Sequence, residues 1–151
     1  MRAAPAIVLS AVLTAALTPV SGWAAPPVHF PASAGPGAGA LPFSASVLAG
    51  DTLYLSGSLD LDPATGRSPP DPEAAARQVL HAVKQSVEAA GLTMDDLVQV
   101  QVFCTDMSLY GPFNAVYRTY FTGPPPARAF IGVSQLANGA RLEVMGVAVR
   151  R

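Results

Sequence analysis

Residues 71–91 read DPEAAARQVLHAVKQSVEAAG, and this stretch decides how the rest of the chain is read. Ala76, Val79, Leu80, Val83, Val87 and Ala90 recur at steps of three and four, which lays one apolar stripe along an α-helix. Asp71 suits the N-cap, because its carboxylate accepts hydrogen bonds from the free amides of the first turn. Pro72 fits the first helical position, where no donor is needed, and Glu73 favours the positive end of the helix dipole. Gly91 closes the helix in the C-cap region. His81, Lys84 and Glu88 fall off the stripe and are expected on a solvated face.

On both sides of this helix the apolar period drops to two. Phe43–Leu48 and Thr52–Ser58 read as strands joined by a turn at Gly50-Asp51. LDPATGRSPPD is a loop, with turn signals at Asp62-Pro63 and Thr65-Gly66. Val98–Thr105 alternates as a strand, with Cys104 in phase with Val98, Val100 and Val102. A second helix is expected from Pro112 to Phe121, burying Phe113, Val116, Tyr117 and Tyr120, and stopped by Thr122-Gly123 and three prolines. Ala129–Val133 and Leu142–Val149 are two further strands, separated by a loop around Asn138-Gly139 and expected to pair as a hairpin. Val28–Phe30 is a short extended candidate. Strands, helix, strand, helix, strands predict one α+β domain with its helices on one sheet face. No internal repeat and no second domain is visible.

Half of the 151 residues are hydrophobic and 13% are charged, which suits one domain with a real core and not a disordered chain. Net charge is −1 and Lys84 is the only lysine. Nothing forms a basic stripe, so nucleic acid is not an expected partner.

The first residues have a different character. Arg2 precedes the apolar run Ala3–Val20, and Gly22-Trp23-Ala24 obeys the small-x-small rule for signal peptidase. Residues 1–24 are therefore read as a signal peptide with Ala25 as the new N-terminus. The alternative is an uncleaved anchor, since the run is just long enough to span a membrane. Cleavage predicts a periplasmic or secreted protein with no stable membrane association. Residues 25–40 form a Pro/Ala/Gly-rich segment, and residues 41–151 the folded domain. Cys104, the only cysteine, cannot form an internal disulfide and is expected to be a packed strand thiol. A nucleophilic role would need a histidine, and neither His29 nor His81 is suitably placed.

Two charges stand out against apolar surroundings. Arg128, in PPPARAF (124–130), lies between a proline run and an apolar segment, where an unpaired buried charge is expensive. Glu143 stands on the row it shares with Met145, Val147 and Val149, so it is expected either to pair with a cation or to carry a raised pKa. The expected hairpin would bring the two within range. They are then either a structural ion pair, or a ligand-carboxylate fork at Arg128 with Glu143 handling water or protons. No P-loop, zinc-type cluster or Ser/His/Asp set accompanies them.

LYLSGSLDLDPATGR, VQVQVFCTDM, FNAVYRTYF, PPARAFIGV and ARLEVMGVAV together resemble the RidA/YjgF reactive-intermediate deaminases, over about residues 40 to 150. The resemblance implies a chorismate-mutase-like α+β fold, a mixed sheet with two helices on one face, and a homotrimer with clefts between subunits. It implies hydrolysis of 2-imino and enamine acids to 2-oxo acids and ammonia, with neither metal nor cofactor. The ligand is then a small 2-imino or 2-oxo carboxylate. By position, Arg128 matches the arginine that binds the substrate carboxylate and Glu143 the acid that positions water. Asn114 matches a pocket asparagine, and Ser56-Gly57 the pocket floor. Phe43 stands where the family has a tyrosine, Ser58 replaces a common glutamine, and Ala129 and Phe130 replace a serine and a frequent cysteine. The competing reading is a non-catalytic trimeric module that binds small carboxylates. Ribonuclease activity, also attributed to the family, fits the mildly acidic chain less well.

Overall fold

The 71–91 stretch forms the helix its sequence dictates: α1 spans Pro72–Ala89, and the Asp71 carboxylate accepts from the Ala74 amide at 2.7 Å. Ala75, Ala76, Val79, Leu80, Val83 and Val87 are buried, and Gly91 takes the left-handed conformation (φ +75°) that ends the helix. His81, Lys84 and Glu88 are exposed, with Lys84 and Glu88 3.7 Å apart one turn along. The computed structural model describes residues 25–32 and 41–151; the segment read as a signal peptide lies outside them.

α1 packs on a six-stranded mixed sheet. Its strands are β1 (Val28–Pro31), β2 (Ser44–Ala49), β3 (Thr52–Leu59), β4 (Leu97–Cys104), β5 (Ala127–Gly132) and β6 (Leu142–Val149). They lie in the order β1-β2-β3-β6-β4-β5, and every neighbouring pair is antiparallel except β4 and β5. α2 (Tyr110–Tyr117) connects those two parallel strands, while α1 connects β3 to β4 across β6. Both crossovers run the same way along the sheet, so the right-handed rule puts both helices on one face. There they pack on each other and cover Leu53, Leu55, Val100, Val102, Leu142 and Val144, all buried. Among the described residues the opposite face carries no helix, and it exposes Tyr54 and Met145.

Three expectations are corrected. β5 and β6 do not form a hairpin: β4 lies between them, pairing with both. The strand–helix–strand order of β4, α2 and β5 demands a parallel crossover, and that requirement overrides adjacency in the chain. Val98 is out of phase with Val100, being 42% exposed, while Leu97 fills the core position. A register shift between Leu97 and Gln99 turns the strand there, opposite Ala148 and Val147 and one pair before Gly146. A Cβ on Gly146 would sit 2.6 Å from the Gln99 carbonyl oxygen, so the bulge needs that glycine. Finally, α2 starts at Tyr110, with Pro112 inside its first turn where amides need no partner. It tightens into a single 3-10 turn at Arg118–Tyr120, leaving Tyr120 only half-buried.

Candidate active site

Arg128 lies on β5 beside Val100 of β4, so its side chain is on the helix side of the sheet. Its Nη2 donates to Asn114 Oδ1 of α2 at 2.6 Å. Its guanidinium carbon lies 4.6 Å from the centre of the Tyr117 ring, 5.7 Å from that of Phe113 and 5.8 Å from that of Phe130. Cation–π attraction seats the charge without neutralising it. Among the described residues no carboxylate lies within ion-pair distance of Arg128. The guanidinium therefore keeps donors free at a cavity of about 390 Å³, lined also by Tyr110, Arg118, Phe121, Gly123, Pro125 and Pro126. The Tyr117 hydroxyl is buried with no hydrogen-bond partner. Burial pushes its pKa up to about 12, with Arg128 pulling in the opposite direction, so the phenol stays protonated.

Glu143 belongs to a second cluster, at one end of the open face. It pairs in register with Leu59, just beyond the point where β3 slips by a bulge between Leu55 and Ser58. Gly57 sits in that bulge, and a Cβ there would overlap the Glu143 carboxylate. Only glycine leaves room for the acid in this position. Ser56 Oγ donates to the Ser44 carbonyl at 2.6 Å, tying the bulge to β2. Phe43 precedes β2 and is 52% exposed, lining a shallow recess with His29 and Ser44.

Of the two readings of Arg128 and Glu143, the structural ion pair does not form within one protomer. Arg128 is level with Val100 on β4 and Glu143 with Phe103, and an odd step along a strand puts them on opposite faces. They are also two strands apart, a separation of about 10 Å from strand spacing alone. The structure thus holds two separate clusters, Arg128 with Asn114 and Glu143 against Gly57, with Ser56 tied to Ser44 beside Phe43.

The endoribonuclease L-PSP family profile matches residues 35–150. The chain belongs to the RidA/YjgF family. It is 38% identical over 113 residues to the 2-iminobutanoate/2-iminopropanoate deaminase of Escherichia coli strain K12, covering 73% of this chain and 88% of that one. It is 39% identical over 104 residues to a RutC family protein of Sulfurisphaera tokodaii, covering 68% and 83%. Escherichia coli TdcF, solved with bound serine, superposes with a TM-score of 0.72 at 32% identity, covering 81% of this chain and 98% of that one. The RidA/YjgF fold is therefore shared over almost the whole described domain.

Sequence reasoning missed three residues around these RidA/YjgF positions. Tyr117 and Arg118 lie three and four residues after Asn114, the helical spacing that shares a face, so the signal was present. Asp60, fully buried, accepts from Ser68 Oγ at 2.5 Å and from the Arg141 amide at 3.0 Å. Arg141 in turn donates from Nε to Ser68 Oγ at 3.0 Å, which fixes the start of β6 two residues before Glu143. Cys104 is a packed thiol as expected: its S–H donates to the Asp106 carbonyl and burial pushes its pKa up. Among the described residues no group of three His, Cys, Asp or Glu side chains could hold a metal ion.

Proposed function

We propose that this protein is an exported imine deaminase, hydrolysing 2-imino acids to 2-oxo acids and ammonia in clefts between the subunits of a homotrimer. The observation that carries the reading is the guanidinium of Arg128, held by Asn114 and an aromatic seat yet paired with no acid among the described residues. A planar fork with free donors suits a substrate carboxylate, which it orients by two charge-assisted hydrogen bonds. Glu143 then aligns water against the imine carbon. Water adds across C=N, a proton passes to nitrogen, and collapse of the carbinolamine releases ammonia and leaves C=O. Because the two residues occupy opposite faces of one sheet, this chemistry takes Arg128 from one copy and Glu143 from another. Close relatives named as 2-iminobutanoate/2-iminopropanoate deaminases support the reading at the level of the family.

A coupled assay tests it, with an amino-acid oxidase generating the imine and the purified mature chain added. Ammonia release should accelerate, and Glu143→Gln should lower the rate about 10²–10⁴-fold while the melting temperature holds. A wild-type protein that binds 2-oxo acids yet leaves imine hydrolysis at its uncatalysed rate is a binding module instead. Export has its own check. Trp23 is the only tryptophan, so the exported protein should have the mass of a chain beginning at Ala25 and no tryptophan emission. Indole fluorescence from exported material would rule out that cut.

A further inference from the structure

Resting on the reading of Arg128 as a carboxylate clamp, we propose that its cavity selects substrates with a second anionic group: 2-imino dicarboxylates, with Arg118 as the distal anchor. The cavity lining holds two guanidiniums, Arg118 and Arg128, and no acid. Arg118 follows α2 by one residue, is exposed, and makes no ion pair or side-chain hydrogen bond among the described residues. Arg77 and Arg150, by contrast, are satisfied locally, Arg77 by Glu73 at 2.8 Å and Arg150 by the Ala90 carbonyl at 3.2 Å. Two like charges on one cavity repel, and a single carboxylate relieves only one of them.

Tyr117 lines the same cavity, its hydroxyl buried away from solvent. A substrate with carboxylates at both ends offers an acid to each guanidinium. Arg118 is thus a specificity-determining residue, distinct from the clamp.

Calorimetry with stable 2-oxo acids tests this without turnover. The probes are 2-oxobutanoate, 2-oxoglutarate and, as a bulky monoanion, phenylpyruvate. 2-Oxoglutarate should bind at least about tenfold more tightly than 2-oxobutanoate, the scale of one charge-assisted contact. Arg118→Gln should collapse that ratio toward one, whereas Arg128→Gln should weaken all three ligands. Equal affinity for the mono- and dicarboxylate, or a preference that survives Arg118→Gln, overturns the proposal and leaves the clamp standing. Tightest binding of phenylpyruvate, insensitive to Arg118, also overturns it, by making the cavity an aromatic one. Failure of every ligand to bind the wild type removes the clamp reading as well.

Discussion

Arg128→Ala is expected to lower kcat/KM for imine hydrolysis by about 10²–10³-fold or more, while costing only about 1–2 kcal/mol of stability. The two effects separate because of what Arg128 touches. Were it half of a buried ion pair, removing it would strand a carboxylate at a cost of about 3–5 kcal/mol. Its neighbours are instead Asn114, Tyr117, Phe113 and Phe130, none of which is left charged by its loss. Arg128→Lys should recover little activity, since an ammonium cannot reproduce the bidentate fork. Thermal melts run beside the coupled assay decide it. An alanine variant that melts far lower while its folded fraction stays fully active would return Arg128 to a structural role.

The second large effect is expected at a residue with no side chain. Gly57→Ala should reduce turnover by about 10²-fold or more, because the new methyl occupies the place of the Glu143 carboxylate. The acid must rotate away, and water loses its anchor. Stability should fall little, as the displaced group can move toward the open face. A double-variant cycle identifies the cause: Gly57→Ala added to Glu143→Gln should cost almost nothing more, since both remove the same carboxylate. Fully additive losses would mean that Gly57 acts through something other than Glu143.

What could be read beforehand was local. α1 was legible in full, because its caps and its stripe lie within twenty residues and act through backbone chemistry. Arg128 and Glu143 were legible as anomalies, charges in apolar strands. Their relation was not, because it depends on which strand comes between them. The parallel β4–α2–β5 crossover was implied by a helix separating two strands, yet chain adjacency suggested a β5–β6 hairpin. The phase error at Val98 has the same origin: the bulge is set by Gly146, some fifty residues away. Glycine on the helix-facing row of β6 was the visible clue, since that row otherwise carries Leu142, Val144 and Ala148. Arg118 went unnoticed because a lone surface cation is ordinary until a cavity joins it to another.

The position of β6 governs when this protein becomes a protein at all. It is made after the other five strands of the sheet and yet is a middle strand of it, flanked by β3 and β4. Until the ribosome has delivered residues 142–149, those two neighbours each present an unpaired edge, and the hairpins upstream have nothing to join. Nascent chain of any shorter length cannot close its hydrogen-bonded ladder, and the many pairings distant in sequence make closure slow once it begins. A polypeptide built this way remains open, and accessible to chaperones, until its sixth strand has been made.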